Sequence, residues 1–186
     1  RQARELGATR SQIRDDGLPI ARGLFVSRAL APDLPTRCRA WVTRLPDDAA
    51  FGMETAAALL GAPCPASSRI HVVLTPRRVL PQFEGITVHA RALRPVDLGN
   101  AGGVRVTSGA QTFLDLAARL APWDLVPLGD GLMGIGAMDA VALDDRLQAI
   151  VRHGEVGDDR DMRPGVAKCC FSDGEVVVEV LGGGFL

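Results

Sequence analysis

Short apolar segments separated by glycine and proline organise the first part of the chain. The first residues of the chain predict a helix that ends at Gly7, and Thr9 is predicted to cap a second short helix. A Gly-Leu-Pro stretch at 17–19 then breaks the helix, and residues 22–27 predict a strand. This order is that of a winged helix-turn-helix entered partway along, so we predict a partial unit of this kind over residues 1–30.

The middle of the chain alternates between strand and helix patterns. Apolar and β-branched runs predict strands over 40–44, 70–74, 86–90 and 103–107. The Ala-rich stretch 52–60 predicts a helix that ends at a glycine. We expect 69–75, 85–92 and 103–107 to pair in one sheet. The predicted fold class is α+β: a partial N-terminal winged helix-turn-helix followed by a small mixed α/β body over residues 36–153.

The clearest helix start lies at Ser108. Ser108 and Gln111 have the spacing of a capping box, in which each side chain satisfies a backbone donor of the first turn. Phe113, Leu116 and Leu120 follow as an apolar stripe. A helix over 108–120 should therefore pack on the sheet through these three side chains.

The later segments are less uniform. Residues 123–136 are apolar enough for a buried helix, although Pro127 and four glycines weaken that pattern. A clearer helix begins at an Asp139 cap. Residues 154–186 are predicted to form a linker and a C-terminal strand at 175–180.

Charge is distributed unevenly along the chain. The net charge is −1, yet residues 1–44 hold nine arginines against four acidic residues, a balance of +5 that leaves −6 for the rest. A basic region on an acidic body favours phosphate contacts at that region. The alternative is a solvated surface that contains arginine for compositional reasons.

The compartment follows from the cysteines and the hydropathy. The four cysteines have neither disulfide-framework nor zinc-site spacing, which fits a reducing cytoplasm. No apolar run approaches the roughly 20 residues of a membrane span. The chain opens on Arg1 without a signal-peptide pattern, so we expect a cytoplasmic protein. The absence of an initiator Met is compatible with a fragment of a longer protein.

Catalytic motifs are not found. The sequence contains no GxSxG, phosphate-binding loop or HExxH motif, and His71, His89 and His153 have no ligand spacing. The vicinal Cys169-Cys170 pair is interpreted as two small buried hydrophobes. Glu175 and Glu179 share a strand face near Asp173 and are candidate Mg²⁺ ligands, but Leu181 stands where a nuclease core places its lysine. We predict no catalytic residue, no metal and no cofactor.

Four segments, in order, resemble one family. Residues 106–117, VTSGAQTFLDLA, are similar to a segment of the AbiEi-like type IV antitoxins and transcriptional regulators. ETAAALLG at 54–61, the two strands at 70–76 and 85–93, and RGLFV at 22–26 resemble other segments of the same family. The resemblance spans about residues 2–150, and actinobacterial proteins with a Vsr-like endonuclease domain share this front half.

The resemblance implies a cytoplasmic, non-catalytic DNA-binding transcriptional regulator of a toxin–antitoxin system. Arg10, Gln12 and Arg14 would lie on the recognition helix, where Arg can bind guanine and Gln adenine. Arg22 and Arg28 would contact phosphates from the wing. The resemblance implies operator DNA as a partner, leaves room for a protein partner, and implies no membrane. Two alternatives stay open: a truncated or inactive Vsr-like endonuclease, with 154–186 as a nuclease remnant, and a structural interaction module without DNA binding.

Overall fold

The protein has an α+β fold. A computed structural model describes residues 7–30, 32–153, 167–172 and 175–180. The first described unit is a short helix, α1 (Arg10–Asp16), followed by an antiparallel hairpin of β1 (Gly17–Ala21) and β2 (Leu24–Ser27). The predicted Thr9 cap and the strand within 22–27 are confirmed. The predicted helix break at 17–19 is also confirmed, since α1 ends at Asp16. These residues in addition form a paired edge strand that was not predicted, in a position that tolerates Pro19.

The next element, α2 (Leu34–Val42), corrects the predicted strand at 40–44. Asp33 caps this helix, since its Oδ1 accepts a hydrogen bond from the Thr36 amide at 2.9 Å. Pro35 lies in the first turn, where a proline costs no helical hydrogen bond.

A five-stranded mixed sheet forms the centre of the body, in the order β5-β4-β3-β7-β6. Its strands are β3 (Ala50–Phe51), β4 (Ile70–Leu74), β5 (Ile86–Ala90), β6 (Leu98–Ala101) and β7 (Val104–Thr107). β4 runs parallel to β5 and β3 parallel to β7, whereas the β3–β4 and β6–β7 pairs are antiparallel. The three predicted strands do lie in one sheet, and β3 and β6 join it without having been predicted.

Four helices form a layer of their own: α3 (Met53–Leu60), α4 (Gly109–Ala117), α5 (Pro122–Gly134) and α6 (Ala140–His153). Phe113 and Leu116 of α4 are buried in a cluster with Met53, Leu128 and other helix and loop residues, and no strand residue belongs to that cluster. The expected packing of α4 directly on the sheet is thus wrong. Its apolar stripe packs on α3 and α5.

A second cluster joins the sheet to α2 and to the hairpin. Trp41 and Cys38 of α2 pack with sheet residues such as Phe51 and Val72, and Leu24 of β2 belongs to the same buried cluster. The Trp41 ring also meets the Phe83 ring edge-on, with centroids 5.7 Å apart. Through Leu24 the hairpin is anchored to the body.

The last described elements are β8 (Ala167–Ser172) and β9 (Glu175–Val180), an antiparallel pair. β9 confirms the predicted C-terminal strand, and β8 was not predicted. The predicted helix end before Gly7, the linker after His153 and Asp173 lie outside the described residues. Among the helices that the structure describes, none is both long enough and apolar enough to cross a membrane.

Candidate functional site

The junction between α1 and the hairpin is fixed by local hydrogen bonds. Thr9 Oγ1 accepts from the Gln12 amide at 3.2 Å, and Gln12 Oε1 accepts from the Thr9 amide at 2.8 Å, which completes a capping box. A Cβ at Gly17 would lie 2.1 Å from the Ile13 carbonyl oxygen, so glycine is required where the helix turns into β1. Arg28 N–H donates to Asp16 O at 2.8 Å and closes the end of the hairpin onto the helix.

The three predicted base-reading residues all lie on α1 but not on one face. Arg10 and Arg14 are four positions apart and share a helix face, whereas Gln12 is two positions from each and points elsewhere. The Gln12 carbonyl oxygen already accepts from the amide and the hydroxyl of Thr9. Bidentate binding of adenine by Gln12 would therefore compete with the cap.

The two predicted phosphate-contacting residues lie on the hairpin and are exposed. Arg22 occupies the β1–β2 turn with Gly23, whose φ of +73° is a left-handed conformation that favours glycine. Arg28 follows β2 at the other end of the hairpin. The hairpin thus presents one arginine at its turn and one beside α1.

Further arginines on and after α2 add to this basic surface. Arg44 Nη1 donates to the Arg22 carbonyl oxygen, and Arg39 Nη1 donates to Gly102 O at 3.3 Å. None of the arginines at 22, 28, 37, 39 and 44 forms an ion pair with a carboxylate of the part of the chain that the structure describes. We call these five residues the unpaired arginine surface. The nearby Asp33 is occupied with capping α2, and its hydrogen bonds from Thr36 lower its pKa.

Several arginines of the body, by contrast, form ion pairs with aspartates. Asp97 is buried and accepts hydrogen bonds from Arg94 at 2.9 and 3.1 Å, and Nη1 of the buried Arg146 lies 3.6 Å from Asp97 Oδ2. Burial alone would raise the pKa of Asp97, but the hydrogen bonds from Arg94 and the charges of Arg146 and Arg94 outweigh it and lower that pKa. Asp145 of α6 extends the network through Arg94.

A neighbouring carboxylate, Asp115, completes this buried polar network. Gln111 Nε2 donates to Asp115 Oδ1 at 2.8 Å, while Gln111 Oε1 accepts from Arg146. Gln111 therefore does not return to cap α4, so only the Ser108 half of the predicted capping box forms. Burial raises the pKa of Asp115, partly offset by Arg91. The network joins α4, α6 and the segment before β6.

A pair of buried histidines was missed by sequence reasoning. His71 Nδ1 and His89 Nε2 are 3.0 Å apart on neighbouring parallel strands, and their rings stack with centroids 5.3 Å apart. Ser67 Oγ lies 2.9 Å from His71 Nε2, and Glu54 Oε2 lies 3.5 Å from the same nitrogen. Burial lowers the pKa of His71; Glu54 opposes this shift, and Arg119 and Arg69 reinforce it.

The remaining candidate groups are two cysteine thiols and the glutamates of β9. Burial raises the pKa of the Cys38 thiol to about 12 and that of Cys64 to about 11, which keeps both as unreactive thiols near neutral pH. Over the described ranges, no group of three or more His, Cys, Asp or Glu side chains is arranged to hold a metal ion. Glu175 and Glu179 lie four positions apart on β9, and Glu179 is paired in register with Lys168.

These observations define an α+β protein whose exposed N-terminal surface is basic. No family model and no curated protein matches the sequence. The fold is similar to that in the crystal structure of the RV2827C protein from Mycobacterium tuberculosis, with a TM-score of 0.53 and 20% sequence identity. The similarity covers 78% of this chain and 62% of that one, so the chain spans less than two thirds of the length of that protein. At this identity the likeness establishes the fold alone.

Proposed function

We propose that this protein is a DNA-binding transcriptional regulator, antitoxin-like and non-catalytic, as its resemblance to the AbiEi family implies. The observation that carries the proposal is the unpaired arginine surface beside a short helix and a hairpin. Exposed guanidinium groups without internal carboxylates raise the local positive potential, which favours the closely spaced phosphates of duplex DNA.

The order of elements supports a particular way of docking. α1 would enter the major groove with the face that carries Arg10 and Arg14, and the hairpin would lie over the backbone as a wing with Arg22 at its turn. Arginine forms two hydrogen bonds with guanine in the major groove and so contributes to sequence preference. An arginine that contacts phosphate adds affinity without sequence preference. Gln12 stays with its cap in this arrangement, and Arg28 contacts phosphate at the base of the wing.

A band-shift titration at two salt concentrations tests the proposal on the DNA upstream of the protein's own coding sequence and on an unrelated duplex. Arg22→Ala should weaken binding to both duplexes and reduce the slope of log K against log salt by about one. Arg10→Ala or Arg14→Ala should cost on the order of 1–3 kcal/mol and narrow the difference between the duplexes. Arg119→Ala, an exposed arginine of the helical layer, is the matched control.

Two results would overturn the proposal. If the protein binds neither duplex even at low salt, the interaction-module alternative replaces it. If added Mg²⁺ leads to cleavage of the duplex that Glu179→Gln abolishes, the endonuclease alternative does.

A further inference from the structure

Arg44 lies outside α1 and the hairpin, and its side chain contacts the hairpin turn. Its backbone amide donates to the carbonyl oxygen of Trp41 at 2.9 Å, just after the end of α2. Trp41 is only 3% exposed and packs in the core, so the backbone of Arg44 is anchored to the body. The core therefore fixes the point from which the Arg44 side chain extends.

The guanidinium of Arg44 reaches from this anchor to the hairpin turn. Its Nη1 donates to the carbonyl oxygen of Arg22, which ties the turn of the hairpin to the end of α2. One contact of this kind occupies one of the five N–H donors of a guanidinium and leaves the others available. Both arginines are exposed, and no carboxylate among the described residues pairs with either.

The Arg44 guanidinium lies at the backbone of Arg22, so two exposed arginines meet at one turn and their charges favour an anion close to both. The chain does not supply that anion from its described part, although aspartates do pair with arginines of the body. An array of phosphates along one DNA strand supplies negative charges at the regular spacing that neighbouring guanidinium groups can contact. The surface therefore has the chemistry of a backbone clamp and not of a base reader.

We infer that Arg44 contacts a DNA phosphate adjacent to the one bound by Arg22, so that the DNA surface extends from the hairpin onto the end of α2. The inference rests on the proposed function. It also gives Arg44 a positioning role, because its hydrogen bond to the Arg22 carbonyl holds the turn at a fixed distance from the body.

The salt dependence of binding separates a phosphate contact from a merely structural role. Binding of a duplex of unrelated sequence should be measured over a salt series for the wild type, Arg22→Ala, Arg44→Ala and the double variant. Each single variant should flatten the slope of log K against log salt by about one, and the double variant by about two. Arg44→Lys should retain the slope, because an ammonium also neutralises a phosphate. Arg119→Ala should match the wild type, and the unfolding midpoint of each variant should stay unchanged.

Each failure has a distinct meaning. If Arg22→Ala flattens the slope and Arg44→Ala leaves it unchanged, the inference is overturned while the proposed function survives. A loss of affinity in Arg44→Ala at an unchanged slope also overturns it, because Arg44 then only supports the turn. If the wild type binds no DNA at low salt, the proposed function itself has failed.

Discussion

The N-terminal surface and the body use the same residue type in opposite ways. Arginines of the hairpin and of α2 are mostly exposed and lie apart from carboxylates, with Arg39 and Arg44 donating to backbone carbonyls instead. In the body, four arginines pair with aspartates: Arg77 with Asp48, Arg91 with Asp115, and Arg94 and Arg146 with Asp97. Other body arginines, such as Arg105 and Arg119, form no ion pair with a described carboxylate. An arginine whose charge is compensated inside the protein stabilises the fold, whereas one left uncompensated at the surface is available to an external anion.

This difference separates stability from binding. Replacing a partner of the buried residues Asp97, Asp115 or Arg146 leaves a buried charge without its partner, so the cost falls on folding. Replacing an exposed arginine of the hairpin removes no buried contact and should leave stability almost unchanged. Substitutions in the buried pairs of the body should therefore lower the free energy of unfolding, whereas substitutions of the exposed hairpin arginines should change DNA affinity.

The largest effect is expected at Asp97. Asp97→Ala removes the carboxylate between Arg94 and the buried Arg146, and should lower the free energy of unfolding by on the order of 3–5 kcal/mol. Chemical denaturation measures this, with Asp97→Asn separating loss of charge from loss of shape. Arg22→Ala, measured alongside, should unfold at the wild-type midpoint. A similar midpoint for Asp97→Ala and the wild type would contradict the contrast between the two regions.

A smaller effect is expected from the histidine pair as pH falls. Burial lowers the pKa of His71, so the unfolded chain binds more protons than the folded protein at pH values below the ordinary histidine pKa of about 6.5. Stability is therefore fully present above that value and decreases as the pH falls toward the lowered pKa. Denaturation at pH 7.5, 6 and 5 measures the decrease.

The control for this prediction is His71→Gln, which removes the titrating ring. The pH dependence of the variant should be weaker than that of the wild type, and keeping the pH at 5 or above keeps Asp97 ionised. Equal pH profiles for the two proteins would show that His71 does not gain or lose a proton on unfolding.

The smallest effect is expected at the cap of α1. Thr9→Ala removes the hydroxyl that accepts from the Gln12 amide and should destabilise α1 by about 1 kcal/mol. Hydrogen exchange of the α1 amides should become faster, while exchange in β4 stays slow. Thr9→Ser keeps the accepting oxygen and should exchange like the wild type. Unchanged exchange in Thr9→Ala would mean that packing and not the cap holds the helix.

Local signals predicted much of the fold. The strands β4, β5 and β7 and the helices α3 and α4 each have a continuous apolar pattern and a clear boundary residue. β3 was not predicted because two residues are too few to show any alternation. The glycines of α5 weakened its helix pattern, yet a Cβ at Gly131 would lie 2.2 Å from Pro63 Cδ, so close packing and not flexibility explains that glycine.

The candidate site was predictable only where it is local in sequence. The Thr9 cap follows from its spacing. The predicted roles of Arg22 and Arg28 come from the family resemblance, and β1, which completes the hairpin that carries them, was not predicted. His71 and His89 are brought together by the parallel register of β4 and β5, in which Val73 is paired with His89. The sequence of either strand alone does not indicate this register. The contact between the two histidines could therefore not be predicted without knowing how the strands pair.

The two-residue strand β3 has a consequence for how the sheet assembles. It links the β4–β5 pair to the β6–β7 hairpin, with Ala50 and Phe51 opposite Val73 and Val72, and Phe51 opposite Val106. The hairpin closes over a short loop, whereas the contact between Phe51 and Val106 spans a long stretch of chain whose loop-closure entropy must be overcome first. The two halves of the sheet can therefore form separately, and their union through Phe51 is a late event in folding. A slow step in refolding kinetics would arise at the middle of the sheet and not at its edges.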